Sequence, residues 1–310
     1  KKENTFASDK QKREKMNTKL KGYLWGAIGG ATYGMNPLFT LPMYQEGISP
    51  DSVLFFRYLF AIPILALIMK FNHVDFKIKR QEIPPLVLMG IMFALCSLTL
   101  FQSYHYMDAG IASTILFLYP IIVALIMTFI FKEKLSFITI ICLLMATAGI
   151  ALLYKGEGGS TLSLTGTLLV IISALTYAIY IVGVNRSRLK NMNTIKVTFY
   201  VLLFGWSLFA IRSLFEGGIQ TPPADKWYLW GNLLALGLLP TAISLLTTTI
   251  AIQLIGSTPT AILGALEPAT AIFFGITVFN ETLTIRETCG LALIIIAVCM
   301  VVVARDRRST

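Results

Sequence analysis

Apolar residues come in blocks of about 20 along most of this chain, the length an α-helix needs to cross a bilayer. Ten such segments can be marked. The first five are Leu20–Met43, Ser52–Met69, Pro84–Ser103, Gly110–Phe131 and Leu135–Tyr154. The second five are Leu164–Val184, Ile195–Leu214, Tyr228–Thr248, Thr258–Val278 and Thr288–Ala304. The links between them are mostly short, which makes consecutive helices antiparallel neighbours. The pattern predicts an all-α polytopic membrane protein with ten transmembrane helices.

Basic residues set its orientation. The first stretch through Lys21, the connections after even-numbered segments and the C-terminal residues hold 21 Lys and Arg. The opposite side holds four: Lys155, Arg212, Lys226 and Arg286. An excess of that size marks the cytoplasmic side. Both termini are expected there, as an even number of spans requires. Residues 1–19 read as a polar cytoplasmic tail, solvated or touching anionic lipid, and 305–310 as a second one. The sequence shows no cleavable signal peptide, and Met16 reads as a natural start.

The chain repeats itself. Pro120 and Pro268 lie 148 residues apart, as do Glu133 and Glu281. Thr32-Tyr33 matches Thr176-Tyr177 at an offset of 144. Residues 20–154 and 164–304 thus form two repeats of five helices. Five is odd, so the second copy enters from the opposite side. Inverted repeats are a common plan of secondary transporters, with the substrate site near the midplane between them.

Composition narrows the picture. Charged residues make up 14% of the 310 residues, against about 25% in soluble domains, and the mean hydropathy is +0.72. The net charge of +10 sits in the tail and loops, which speaks against a nucleic-acid partner. Cys96, Cys142, Cys289 and Cys299 fall inside apolar segments, as small core residues do. Phosphate loops, metal motifs and histidine clusters are lacking in the sequence, so no cofactor or enzymatic activity is expected. The partners are the bilayer and a small-molecule substrate; a monomer suffices and a dimer is allowed.

Candidate chemistry lies inside the spans. Glu267 sits deep in a 21-residue apolar run and precedes Pro268. An intramembrane carboxylate is costly and usually faces a water-filled path. It either carries protons, binds a substrate ammonium, or makes a structural hydrogen bond beside the proline break. Arg57, in the second span, either binds an anionic group or snorkels to the interface. Tyr33, Asn36, Tyr177, Tyr180 and Trp206 lie near the midplane, as cavity walls or as helix packing. Gly26, Gly30 and Gly34 recur every four residues, a spacing for close helix approach. His105, at the end of the third span, is either a pH-sensitive gate or a polar helix end, and Thr241 is a weak candidate for a polar path.

Phe56-Arg57-Tyr58, Tyr119-Pro120 and Leu266-Glu267-Pro268, with the helix-ending Glu133 and Glu281, resemble the drug/metabolite transporter superfamily, and within it the bacterial EamA branch. The resemblance covers about residues 20–304. It implies a ten-helix inner-membrane transporter, usually an exporter of small metabolites such as amino acids. It also implies that the first four helices of each half surround a cavity and the fifth is peripheral. A lipid-carrier or drug flippase is the rival within transport. A membrane receptor or scaffold is the rival outside it.

Overall fold

The computed structural model describes residues 2–107, 109–132, 137–153, 163–215, 218–279 and 285–306. Asp108, Glu133 and Glu281 lie outside the described residues. Among the described residues every regular element is helical. The first half holds α1 (Lys2–Tyr33), α2 (Asn36–Gln45), α3 (Pro50–Phe71), α4 (Ile83–Ser103), α5 (Ala109–Leu116), α6 (Tyr119–Phe129) and α7 (Phe137–Leu153). The second holds α8 (Leu164–Arg186), α9 (Thr194–Phe215), α10 (Trp227–Gly237), α11 (Ser244–Ile255), α12 (Ser257–Leu263), α13 (Leu266–Phe279) and α14 (Ile285–Asp306). A short 3₁₀ turn covers Arg188–Asn191, and a π-helical turn joins α10 to α11 over Leu238–Ile243.

Among the described residues six stretches are long and apolar enough to cross a membrane: Pro50–Phe71, Ile83–Ser103, Leu164–Arg186, Thr194–Phe215, Trp227–Ile255 and Ser257–Val278. Leu168, Ile171, Leu175, Leu144 and Phe129 are exposed on the outside, as a surface meeting hydrocarbon requires. Residues 2–19, read from the sequence as a separate tail, continue α1 as helix without interruption.

Among the described residues three of the expected spans break at a turn, while the eighth is interrupted by the π turn. The first divides at Gly34-Met35 ahead of Pro37, the fourth at Phe117-Leu118 ahead of Pro120, and the ninth at Gly264-Ala265 ahead of Pro268. Proline fits the start of a helix because its missing N–H has no partner there. At the breaks in the fourth and ninth spans the turn tightens, with Leu118 N–H on Ile115 O at 3.0 Å and Ala265 N–H on Ile262 O at 3.1 Å. Those two breaks are 147 residues apart at both of their residues, and the prolines that follow are 148 apart, so both repeats interrupt the same helix just before the same proline.

The helix pairings also come in matched sets. α4 packs on α8, and α1 on α11; α4 packs on α9, and α10 with the π turn on α3. α12 meets α6 while α13 meets α5, so the two broken helices cross, the first segment of each against the second of the other. α3 with α9 and α7 with α14 pair each helix with its own counterpart. Exchanging the halves maps this set of neighbours onto itself. The glycines agree: a Cβ on Gly90 would crowd Val201 O and Gly205 N, and one on Gly237 would crowd Arg57 O and Ala61 N. Val201 is therefore the counterpart of Arg57.

The glycine stripe of α1 allows its close seating. A Cβ at Gly26 would meet Leu263 Cδ1 at 2.6 Å, one at Gly30 would meet Leu263 O at 2.9 Å, and one at Gly34 would run into the carbonyl oxygen of Glu267. Backbone cannot swing aside as a side chain can. Gly34→Ala should therefore lower the unfolding midpoint of the purified protein, at a cost of about 1–3 kcal/mol for overpacking. Gly231→Ala is the control: its Cβ would point into open space, so it should leave the midpoint unchanged or raise it, since glycine inside a helix is unfavourable. Equal midpoints for both variants would refute the packing account.

Cys96 and Cys142 are buried, whereas Cys289 is exposed, against the expectation of a core position for it. The side chain of Cys299 lies outside the described residues.

Candidate functional site

Arg57 is wholly buried at 0% exposure, which rules out snorkelling. It lies in the second turn of α3 and reaches across to the π turn. Pro240 explains why that turn exists. It has no N–H to give the Leu236 carbonyl, and the Thr241 hydroxyl donates to that carbonyl instead, at 2.7 Å. The widened turn also moves the Ser244 N–H onto Leu239 O, away from Pro240 O, its ordinary α-helical acceptor. Arg57 uses both liberties: its Nε donates to Thr241 Oγ1 at 2.5 Å and its Nη2 to Pro240 O at 3.1 Å. The guanidinium lies 5.1 Å from the centre of the Phe101 ring and 5.8 Å from that of Tyr33, within range of cation–π attraction. Its Nη1 is buried without a partner. A fixed cation in such surroundings is costly to hold unless something anionic visits it.

Glu267 lies in the first turn of α13, 4% exposed. The Tyr119 hydroxyl donates to its Oε1 at 3.2 Å. Tyr119 is the first residue of α6 and Glu267 the second of α13; each immediately precedes its repeat's proline, and the two are 148 residues apart. They hold the same place in the two repeats and meet across the helix crossing. Gly264 makes the meeting possible: a Cβ there would fall on the Tyr119 hydroxyl.

A second equivalent pair stands beside them. The rings of Tyr33 and Tyr177 stack with centres 5.8 Å apart and planes 8° from parallel. Tyr119 meets Tyr177 edge-on at 4.7 Å, and Tyr177 stacks on Tyr180 at 6.1 Å. Tyr33 faces the Cys96 thiol at 3.9 Å, and Tyr180 bonds Thr249 at 2.9 Å. The Tyr33 ring in turn lies 5.8 Å from the Arg57 guanidinium. A row of tyrosines drawn from both halves thus connects the buried Arg57 to the buried Glu267, through Tyr33, Tyr177 and Tyr119.

A family model for the EamA-like transporter family matches residues 20–155 and again 164–303. The chain belongs to the EamA-like transporter family. Its relatives include the uncharacterized transporters YdfC and YoaV of Bacillus subtilis (strain 168). YdfC is 24% identical over 268 residues, 82% of each chain. YoaV is 23% identical over 298 residues, 94% of this chain and 96% of its own. One solved crystal structure shares the fold with a TM-score of 0.77 at 18% identity, covering 93% of this chain and 98% of that one. The protein is thus a membrane transporter built of two EamA repeats, not an enzyme.

Of the residues singled out in the sequence of this EamA-like chain, the structure gathers Glu267, Arg57, Tyr33, Tyr177 and Tyr180. Asn36 is buried at the start of α2, three residues along the chain from Tyr33, with both side-chain amide atoms unpartnered. Trp206 stands apart: it packs on Phe55 at 5.3 Å, between α9 and α3. Pro120 and Pro268 mark the helix breaks. His105 is exposed and stacks on Tyr44 at 4.7 Å. Sequence reasoning noted Tyr119 only as part of a motif and passed over Gly264, Pro240 and Thr40.

Proposed function

We propose that this EamA-like protein is a gradient-driven secondary transporter that exports small organic metabolites, amino acids or related amphiphilic compounds, across the bacterial inner membrane by alternating access. In this reading the chain crosses ten times, in two inverted five-helix repeats, with both termini in the cytoplasm. α1 with α2, α5 with α6, α10 with α11, and α12 with α13 each make one interrupted crossing. The observation that carries the proposal is the meeting of equivalent residues, Tyr33 with Tyr177 and Tyr119 with Glu267, around two buried charges. Two related halves that share a polar centre can rock about it and open it to either side.

Connections on both faces tie the halves. On one, Asp51 pairs with Arg212 at 2.6 Å and Glu46 with Lys226. On the other, Arg188 donates to Gln81, and Lys196 and Tyr200 donate to the carbonyls of Lys77 and Phe76. Alternating access would release one set at a time.

Glu267 is the group we assign to coupling or to holding a substrate ammonium. Mass spectrometry of medium from cells expressing wild type, Glu267→Gln or empty vector tests the whole reading. A metabolite enriched by wild type and reduced at least 10-fold in the variant is expected. Enrichment by both proteins alike would demote Glu267 to structure. Enrichment by neither, with both proteins confirmed in the membrane, would sink the proposal of export.

A further inference from the structure

Among the described residues, buried side-chain polar atoms left without partners occur in several places, including Tyr104, Thr128, Trp206 and Ser257, but three of the residues that carry them belong to α2 and to the Arg57 head. Arg57 Nη1, Asn36 Nδ2 and Oδ1, and Thr40 Oγ1 are all buried and unpartnered. Asn36 is 2% exposed and Thr40 is 0%. They are four residues apart on α2, on one face of that helix. Both ends of the segment are pinned around the Arg57 head. At one end is Tyr33, whose ring lies 5.8 Å from the guanidinium. At the other, the Tyr44 hydroxyl donates to the carbonyl of Phe101 at 3.1 Å, and the Phe101 ring lies 5.1 Å from the same guanidinium. Asn36 and Thr40 fall between these pins, on the buried side.

We infer that Arg57 Nη1, Asn36 Nδ2 and Thr40 Oγ1 form the subsite that receives a substrate carboxylate. The inference rests on the transport reading and deepens it by naming the anionic end of the substrate and where it docks. Three donors suit the two oxygens of a carboxylate, each of which accepts more than one hydrogen bond. A single cation balances a single negative charge, whereas a doubly charged phosphate would leave buried charge unpaired. Asn36 Oδ1 adds one acceptor, which suits a hydroxyl or ammonium next to the carboxylate. Arg57 is already fixed by Thr241 and Pro240, so docking would cost its side chain little further freedom.

An unsatisfied buried polar atom weakens the empty protein and is repaid only when a ligand arrives. That gives the subsite a signature of opposite signs. The variants are Asn36→Leu and Thr40→Val, close in shape and lacking the polar atoms. The full chain, purified in lipid nanodiscs, is titrated with L-leucine, L-phenylalanine and 3-phenylpropionate, each compared with its primary amide. In wild type the acids should raise the unfolding midpoint and the amides should not. Each variant should show an unchanged or higher midpoint when empty, with acid binding weakened roughly 10-fold or more, the cost of a lost bond to a charged group. Three results overturn the inference: no acid stabilises wild type, amides act as well as acids, or the variants unfold earlier when empty yet keep acid binding. The transport reading is judged separately in the culture medium. Acid binding without any exported metabolite would fell that reading and leave the subsite standing.

Discussion

Gly264→Ala, one added methyl group, should abolish most transport. Its Cβ would occupy the place of the Tyr119 hydroxyl, and that hydroxyl is the hydrogen bond on Glu267. The phenol has little room to yield: Phe117 packs edge-on at 5.7 Å and Tyr177 at 4.7 Å, and Tyr119 is 1% exposed. Either the ring is driven out or α12 withdraws from α6, and both deform the helix crossing. Overpacking of this kind costs about 1–3 kcal/mol in stability, and a catalytic or binding group displaced by an ångström commonly costs about 100-fold in rate. A double-mutant cycle with Tyr119→Leu separates the steric cause from others. Shortening the ring should restore the thermal midpoint lost in Gly264→Ala but not the flux that needs the Glu267 contact. Strict additivity of the two changes in the midpoint would refute the clash.

Arg57→Lys should insert and fold, yet transport at least 10-fold more slowly. The guanidinium is planar and presents Nε and Nη2 together to Thr241 and Pro240, while Nη1 remains for a third partner. A lysine ammonium is a compact, strongly hydrated point charge that cannot satisfy separated acceptors in one plane. Losing one hydrogen bond to a charged group costs about 1.5–3 kcal/mol, or roughly 10- to 100-fold. Initial rates of uptake of the exported metabolite into proteoliposomes would show it. Wild-type rates from Arg57→Lys would mean that only the charge matters and that the fork geometry is incidental.

Much of this was legible in the chain. A periodicity of about 20 apolar residues and an offset of 148 gave helices, repeats and the equivalence of Pro120 with Pro268. The same offset connects Tyr119 to Glu267, and equivalent residues near a shared axis are apt to touch; that signal was present and unused. What stayed hidden depends on backbone detail. Pro240 announces a disturbance but not that a π turn and Thr241 would together make a socket for Arg57. Gly264 is one small residue among many until a ring is found against it. Trp206 shows the opposite error: depth along a helix says nothing of which face a side chain takes, and this one faces Phe55.

The contact between Tyr119 and Glu267 requires that the two halves differ. Two copies of one ancestral segment, paired through this crossing, place a residue against its own duplicate. Two second halves would set carboxylate against carboxylate within hydrogen-bonding distance, and like charges so placed repel strongly in a medium of low dielectric constant. Two first halves would bring two phenols together with no acid between them. With unlike residues at the two equivalent places a lone carboxylate is tenable here, and the covalent link between the halves guarantees that each crossing receives one of each. Neither half of this protein is a substitute for the other.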